Sequence, residues 1–358
     1  MPGRTPRILM IRPRKIGDVV ITTALIRALR HAFPAAHLAY LTEPQCAQVL
    51  MENPHLDAIW EYPAGGGIAA HVRMAQQLRS ERFDVAIDWF SSPATARLAW
   101  LTDAPLRIGY ALRGRTWAYS CAVPTDRAPG YVLYSQADLL APLGVALDSD
   151  ALELHLTAHE RAAAEATLAA AGLHTGERLL VIAPAAQSRD KMWPSRCYAA
   201  VADALVARTG MRILLVGSAE EAPALNAVRN CLRHQALPPL PTPTLRTVAA
   251  LLERAGLVLA ADTGLRHMAM ALGVPTVGVF GRAFPESWTP PRKSHHVAVA
   301  HDPGCKSACW FPHCRHLACN RRISVATVLQ ACLRALAAAG VVPSGAPVPP
   351  GRIADAGD

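Results

Sequence analysis

Short apolar runs alternate with longer amphipathic segments along most of the chain. The runs that predict strands are 7–11, 37–41, 57–61 and 85–88 and, after a gap, 179–183, 212–216 and 257–261. The segments between them carry apolar residues at helical spacing, as in 17–33, where Val20, Ala24, Leu25, Ala28 and Leu29 share one face. This alternation predicts parallel sheets that are covered by helices on both faces.

The strands and helices form two series that meet at 148–157. The other predicted helices are 45–51 and 69–79 in the first series and 194–209, 220–232 and 245–255 in the second. At 358 residues the chain has the length of two ordinary domains. We therefore predict an α/β protein of two doubly wound domains, 1–150 and 151–342, facing each other across a cleft. The Pro- and Gly-rich tail 343–358 is predicted to be disordered.

The stretch 261–281 carries the most specific pattern of the chain, a polar turn followed by a helix and a buried strand. Asp262-Thr263-Gly264 forms the turn, and the helix starts at Gly264. A helix start presents unpaired N–H groups and the positive end of the peptide dipole, which suits a phosphate. Thr263 adds a hydroxyl and Asp262 a carboxylate for sugar hydroxyls, while His267 lies about one turn inside the helix.

A second candidate site follows the first strand, where 12–18 reads Arg-Pro-Arg-Lys-Ile-Gly-Asp. Gly17 permits close approach of a ligand, and Asp18 lies at or near a helix start, on the edge where α/β proteins bind ligands. The commonest role of an aspartate there is to cap the helix, so the catalytic role stays open. Arg12, Arg14 and Lys15 form a basic rim that suits an anionic acceptor.

Two further loops of the second series carry polar candidates. Lys191, just before Trp-Pro, is a natural phosphate partner, although a solvated surface lysine is an equally good interpretation. Glu220 and Glu221 follow a strand that ends in glycine. Acids are favoured in the first turn of a helix by its dipole, but one of the two could hold a ribose.

Four cysteines follow at Cys305-x₃-Cys309-x₄-Cys314-x₄-Cys319. Such a cluster suggests zinc or iron, but the tight Cys-x₂-Cys spacing is absent and cysteine is also a common buried apolar residue. No carboxylate cluster suited to magnesium is evident, so the site prediction includes no metal and no cofactor.

Composition narrows the function classes. The net charge is +9, from 36 basic and 27 acidic residues, which suits nucleic acid, anionic lipid or a phosphorylated substrate. Aromatic residues make up only 6% and no nucleic-acid module is recognisable, so nucleic acid is not an expected partner. With no apolar span and no secretory signal pattern, a cytoplasmic location is expected.

Taken together, these motifs resemble glycosyltransferase family 9, the lipopolysaccharide heptosyltransferases. The resemblance is carried by Ile-Arg-Pro-Arg-Lys-Ile-Gly-Asp at 11–18, Arg-Ile-Gly-Tyr at 107–110, Lys-Met-Trp-Pro at 191–194, and Asp-Thr-Gly-Leu-Arg-His at 262–267. The cysteine-rich loop and Ile-Ser-Val-Ala-Thr-Val-Leu after it are also typical of the family. The resemblance implies a GT-B fold and an inverting, metal-independent transfer of a heptose from ADP-heptose to the lipopolysaccharide inner core.

The resemblance also implies roles for single residues. Asp18 matches the general base that takes the proton of the acceptor hydroxyl. Lys191 matches the lysine near the diphosphate and sugar, and Asp262 a residue that holds heptose hydroxyls. The remaining donor-binding positions are Thr263, Gly264 and His267 on the phosphate side, and Glu220 or Glu221 near the nucleoside.

One loop departs from the family pattern. Many members carry two threonines before the lysine, whereas 186–188 reads Ala-Gln-Ser here, so that Ser188 offers one hydroxyl. This leaves open another nucleotide sugar, a protein acceptor, or a catalytically decayed protein that only binds sugar nucleotides.

The acceptor implied by the resemblance is an amphiphilic lipopolysaccharide precursor. Its phosphates, or anionic lipid at the cytoplasmic face of the inner membrane, suit the basic residues of the first domain, which are Arg12, Arg14, Lys15, Arg107, Arg113 and Arg115. An ordinary solvated face is the alternative interpretation of these side chains.

Overall fold

The computed structural model describes residues 5–125, 130–240, 244–305, 309, 314 and 316–341. The chain divides into two compact units, the first ending at Thr157 and the second beginning at Ala158. The tail 343–358, for which disorder is predicted, lies outside the described residues. Within the described part of the chain, no helix is long and apolar enough to cross a membrane.

Unit 1 is a parallel sheet covered by helices. Its strands are β1 Arg7–Ile11, β2 His37–Thr42, β3 Ala58–Glu61, β4 Val85–Asp88, β5 Leu106–Tyr110 and β6 Cys121–Val123. Its helices are α1 Ile16–Ile21, α2 Thr23–Ala32, α3 Pro44–Ala47, α4 Gly67–Ser80, α5 Pro93–Leu101 and α6 Val132–Ala137. The strand order is β3-β2-β1-β4-β5-β6, which is the order of dinucleotide-binding folds.

Unit 2 repeats the architecture with a different order. Its strands are β7 Leu179–Ala183, β8 Arg212–Leu215, β9 Ala255–Ala261, β10 Thr276–Phe280 and β11 His296–Ala300. Its helices are α7 Ala158–Ala170, α8 Ser195–Thr209, α9 Ala222–Arg229, α10 Leu245–Glu253, α11 Gly264–Ala271, α12 Pro285–Trp288, α13 Ala318–Arg321 and α14 Val325–Ala338. The order β11-β10-β9-β7-β8 is the other common doubly wound arrangement.

In each sheet the chain adds strands on one side of the first strand and then reverses to add strands on its other side. In unit 1, β2 lies on one side of β1 and β4 on the other, and in unit 2, β8 lies on one side of β7 and β9 on the other. Ligands of open α/β sheets bind beside the carboxyl ends of the strands at this reversal. The loops after β1 and β4, and after β7 and β9, are therefore the places to look for a site.

The central strands have apolar side chains on both faces, as the sequence predicts for a covered parallel sheet. All five residues of β7 and all five of β10 are buried, and so are four of the five residues of β1. Such close-packed cores hold the ends of the strands rigidly, so the loops that leave them start from fixed points.

The helix predicted at 17–33 is two helices, α1 and α2, which meet at Thr22. The Thr22 hydroxyl donates to the Val19 carbonyl and the Thr23 hydroxyl to the Val20 carbonyl, each at 2.7 Å. Threonines that bond back to the preceding turn bend a helix. The apolar period runs unbroken across this joint, so periodicity alone predicts one helix.

The connection predicted at 148–157 is irregular chain fixed to α2 by Arg27. The Arg27 guanidinium donates to the Ala151 carbonyl at 2.8 Å, the Ser149 carbonyl at 2.9 Å and the Glu153 carboxylate at 2.6 Å. Burial raises the pKa of Glu153, but the hydrogen bond and charge of Arg27 outweigh it and leave that pKa below its ordinary value.

Candidate active site

Unit 2 brings together two residues that the sequence places far apart. Lys191 Nζ donates to Asp262 Oδ2 at 2.6 Å, joining the loop after β7 to the turn after β9. The Asp262 side chain is only 8% exposed, whereas that of Lys191 is 31% exposed. The carboxylate is therefore anchored, and the ammonium group remains within reach of a ligand.

Asp190 fixes the loop after β7 that carries Lys191, which we call the lysine loop. Its carboxylate accepts from Arg282 Nε at 2.9 Å, and its carbonyl accepts from Asn320 Nδ2 at 3.2 Å. Burial raises the pKa of Asp190, but Ser188 and the Arg282 guanidinium outweigh it, so that pKa lies below its ordinary value.

Gly281, directly after β10, lets the lysine loop approach the sheet. A Cβ atom at this position would lie 1.8 Å from the Asp190 carbonyl oxygen, far inside van der Waals contact. Only glycine can occupy the position without moving the backbone of either segment.

The turn after β9 leads into α11, whose N-cap is Thr263. The Thr263 oxygen accepts from the Leu265 N–H at 3.3 Å, which leaves the hydroxyl hydrogen free to be donated. The Arg266 N–H donates to the Thr263 carbonyl at 3.2 Å, so the Gly264 N–H is the first-turn group that is left to meet a ligand. This end of α11 is therefore an anion-binding group of backbone N–H, hydroxyl and helix dipole beside the Lys191–Asp262 pair.

His267 is buried at 3% exposure, one turn into α11. Burial, with the neighbouring charges of Arg266 and Lys191, lowers its pKa to about 3, so the imidazole is neutral at physiological pH. Its ring meets the Trp288 ring edge to face at 6.0 Å between centroids. Sequence reasoning missed this partner, because α12, which carries Trp288, has no apolar period.

Arg266 holds that tryptophan in place. Its guanidinium lies over the Phe280 ring and donates to the Trp288 carbonyl at 3.0 Å and to Thr289 Oγ1 at 2.9 Å. The buried arginine therefore couples the start of α11 to the end of α12.

Glu220 and Glu221 have different roles. The Glu221 carboxylate accepts from the Ser218 N–H at 2.8 Å, which closes the short turn before α9. Glu220 is exposed, and a hydrogen bond from Ser218 lowers its pKa, so it is an anion facing solvent. A mostly apolar pocket adjoins this turn, lined in part by Val216, Gly217, Leu225, Asn226, Leu240 and Leu251.

In unit 1, Asp18 is partly buried in the first turn of α1. Its Oδ1 lies 2.5 Å from Arg12 Nη2, and its Oδ2 is 3.5 Å from the Lys15 backbone nitrogen. Arg12 also donates to the Trp89 carbonyl at 2.6 Å. This arginine therefore ties the carboxylate to the ends of both β1 and β4, at the reversal of the sheet.

An aromatic ring that sequence reasoning missed lies beside this carboxylate. The Phe90 ring has the guanidinium of Arg12 at 5.2 Å and that of Arg14 at 5.6 Å from its centroid. Buried Asp88 holds the turn by accepting from the Phe90 N–H at 3.0 Å, and burial raises its pKa. The signal in the sequence is Asp-Trp-Phe at a strand end.

The weaker acceptor candidates lie on two different loops. Arg14 and Lys15 are exposed beside Asp18, whereas Arg113 is exposed on the loop after β5. The structure therefore groups the first two with the candidate base and places the third on another segment of unit 1.

The cysteine loop is described only in part. Cys305 is exposed, and Cys309, Cys314 and Cys319 are partly buried. Burial, together with the three other thiols, raises the pKa of Cys319. Within the described residues, no three His, Cys, Asp or Glu side chains are arranged to hold a metal ion.

The comparisons with known proteins agree on one family. The family model for glycosyltransferase family 9 (heptosyltransferase) matches residues 71–310, about two thirds of the chain. Lipopolysaccharide heptosyltransferase 3 of Escherichia coli is 27% identical over 288 residues, covering 76% of this chain and 83% of that protein. The range 71–310 that the family model matches contains the candidate donor residues of unit 2 but not Asp18.

Two solved structures share the fold. A family 9 glycosyl transferase from Veillonella parvula superposes with a TM-score of 0.83 at 23% identity, covering 94% of this chain and 98% of that one. The E. coli ADP-heptose lipopolysaccharide heptosyltransferase II gives 0.75 at 21% identity, covering 94% and 100%. The α/β fold of GT-B type predicted from the sequence is confirmed. The chain is a glycosyltransferase and belongs to glycosyltransferase family 9, the heptosyltransferase family.

Proposed function

We propose that this protein transfers a heptose from ADP-heptose to the inner core of a lipopolysaccharide precursor, with inversion at the anomeric carbon and without a divalent ion. The observation that carries the proposal is the Lys191–Asp262 pair beside the start of α11, which forms a ready-made donor site. The family match, and the ADP-heptose named for E. coli heptosyltransferase II, support this donor.

The donor diphosphate is held at the start of α11 in this proposal. The Gly264 N–H, the dipole of α11, the Thr263 hydroxyl and the Lys191 ammonium group offset the negative charge of the leaving ADP, which is the task a divalent ion performs elsewhere. Preorganised donors of this kind contribute on the order of a few kcal/mol each to lowering the barrier. Asp262 binds hydroxyls of the sugar.

The nucleoside lies beside the turn that precedes α9. Exposed Glu220 accepts hydrogen bonds from ribose hydroxyls, and the pocket next to it receives the base. Neutral, buried His267 supports the phosphate side without adding charge.

Asp18 is the base. The acceptor oxygen attacks the anomeric carbon, the bond from that carbon to the phosphate oxygen breaks, and ADP leaves with the electron pair. The acceptor proton passes to the Asp18 carboxylate, which Arg12 orients. Arg14 and Lys15, exposed beside it, face anionic groups of the acceptor.

The test is transfer itself. The protein is incubated with ADP-heptose and a heptose-deficient lipopolysaccharide, with and without EDTA, and the product is followed by mass spectrometry. We expect one added heptose at the same rate in both samples. NMR should show that the new glycosidic linkage has the anomeric configuration opposite to that of the donor. The absence of both transfer and donor binding by calorimetry would falsify the proposal.

Because 186–188 offers one hydroxyl, that of Ser188, the identity of the donor sugar is tested with a panel of nucleotide sugars. ADP-heptose, other ADP-sugars and UDP-sugars are compared under identical conditions. A faster reaction with another donor would retain the transferase and the site but replace the sugar. Binding of sugar nucleotides with no transfer to any acceptor would indicate a binding protein instead.

A further inference from the structure

Two tryptophans stand exposed on one face of unit 1. Trp100 is 49% exposed and Trp117 is 57% exposed, and their rings meet edge to face with 5.8 Å between centroids. Large aromatic side chains of this kind are normally buried, and a paired, exposed cluster marks an interaction surface.

The pair is held in place by structure. Trp100 lies on the outer face of α5, and Trp117 lies in a short turn, Thr116–Ala118, that packs against α5. The Trp117 indole N–H donates to the Gly114 carbonyl at 3.1 Å, which fixes the ring. The apolar surface is therefore present before any partner arrives.

An exposed arginine lies close to each tryptophan in the chain. Arg97 is exposed three residues before Trp100 on α5, and Arg113 is exposed next to the glycine that holds Trp117. The only acid between 93 and 120 is Asp103, which is paired with Arg79 at 2.8 Å. The surface thus combines exposed indoles with exposed arginines.

We propose that the surface of Trp100, Trp117, Arg97 and Arg113 docks the protein on an anionic phospholipid bilayer. Indole rings favour the headgroup region of a membrane, where an apolar ring and a polar N–H are both satisfied. Each arginine near an anionic membrane adds attraction that falls off with salt. The inference deepens the proposed function, since a lipopolysaccharide precursor is carried in a membrane.

The full-length protein is sedimented with phosphatidylcholine vesicles that contain or lack phosphatidylglycerol, at low and high salt. We expect binding to the anionic vesicles that weakens with salt. Replacing both tryptophans, Trp100→Ser with Trp117→Ser, lowers the partition coefficient about tenfold or more. Replacing both arginines, Arg97→Gln with Arg113→Gln, lowers it by roughly fivefold for each charge.

Vesicles with brominated acyl chains test direct contact. Wild-type tryptophan fluorescence is quenched on binding, and we expect this quenching to fall in the tryptophan variant. Met51→Ser is the matched control, because Met51 is also an exposed apolar residue of unit 1, at 44%. It should bind vesicles like the wild type. Near-UV circular dichroism checks folding, and the two single tryptophan variants serve if the double variant does not fold.

Three outcomes overturn the inference. The first is a tryptophan variant that partitions like the wild type, and the second is a wild type that does not bind anionic vesicles at low salt. The third is wild-type self-association that the tryptophan variant loses, because a second copy is then the occupant. Turnover on a soluble core oligosaccharide should be equal in the wild type and in the tryptophan variant. Its complete absence in both would refute the proposed function and leave the docking result standing.

Discussion

Lys191 and Asp262 are 71 positions apart and meet at 2.6 Å. Each could be explained alone as a structural residue, the first as a surface cation and the second as a cap. Their contact beside a helix start gives both a common task, because a ligand with a phosphate and a sugar needs a cation and a carboxylate at neighbouring points.

The two residues should separate the two halves of the donor. We expect Lys191→Gln to weaken both ADP and ADP-heptose by roughly 10- to 100-fold, as the loss of a charged hydrogen bond predicts. Asp262→Asn should weaken the binding of ADP-heptose by a similar factor but leave that of ADP within about twofold, because Asp262 contacts only the sugar in the proposed site. Calorimetry measures both, and Arg208→Gln, an exposed arginine of α8, is the control. Equal loss of both ligands in Asp262→Asn contradicts the assignment.

Asp18 is tested by a substitution that keeps its shape. Asn retains a capping oxygen but cannot take a proton, so Asp18→Asn should lower turnover by roughly 10²- to 10⁴-fold with donor affinity unchanged. Steady-state kinetics and calorimetry measure the two effects. Asp103→Asn removes another unit 1 carboxylate and should be active. Wild-type turnover in Asp18→Asn eliminates the carboxylate as base.

The buried His267 should make the free energy of unfolding depend on pH. Its pKa is lowered from the ordinary value of 6.5 to about 3, so between these values the unfolded chain binds a proton that the native protein does not. Its contribution is present above pH 6.5 and is lost as pH falls toward 3. We expect the free energy of unfolding to fall less steeply with acid in His267→Asn, by up to about 1.4 kcal/mol per pH unit. Denaturant titrations at several pH values decide this, and parallel curves refute it.

At the scale of elements, the end of β10 sets the position of the lysine loop. Gly281 and the Asp190 carbonyl are so close that the strand and the loop cannot move independently. Arg282, one residue further on, adds the ion pair with Asp190. The strand thus positions Lys191 without touching it.

Gly281→Ala should therefore disturb the proposed donor site, although Gly281 is not one of its residues. The new methyl group forces the loop away, which should lower the free energy of unfolding by about 1–3 kcal/mol and weaken ADP binding. Gly172→Ala is the control, because Gly172 has φ +90° and its strain, about 1–2 kcal/mol, is unrelated to the loop. Denaturant unfolding and calorimetry should show a stability loss in both variants and an affinity loss only in Gly281→Ala. Unchanged ADP affinity in Gly281→Ala disproves the coupling.

At the scale of the whole molecule, two sheets of different strand order share one principle of site placement. In unit 1 Asp18 follows β1 and Phe90 follows β4, and in unit 2 Lys191 follows β7 and Asp262 follows β9, the strands at which each order reverses. All proposed donor residues belong to the unit that begins at Ala158, and the proposed base belongs to the unit that ends at Thr157.

Unit 2 alone should therefore bind ADP. A chain of residues 158–341 has its own core of packed strands and helices, and we expect it to unfold cooperatively and to bind ADP within about threefold of the full protein. It should transfer no sugar, because Asp18 is missing. Calorimetry and thermal unfolding provide the measurement, and a folded fragment without ADP affinity contradicts the division of roles.

The sequence alone determined the fold class and most strand positions. Apolar runs such as those of β1, β4 and β7 mark covered parallel strands because both of their faces must be buried, and the residues found there match the predicted bounds. The Asp-Thr-Gly turn and its helix were also predictable, since capping and helix period are local properties.

Only the tertiary structure decided which polar residues meet. The order of the strands was decided at this level, and so were the contacts of Lys191 with Asp262, of Arg12 with Asp18 and of Trp288 with His267. These contacts join segments that are remote in the chain or that carry no periodic pattern of apolar residues. The elements that the sequence analysis did not predict are the strands β5, β6 and β11 and the helices α5, α6, α7, α12, α13 and α14. Local patterns report which face of an element is buried, whereas the partners across that face depend on how the sheet is wound.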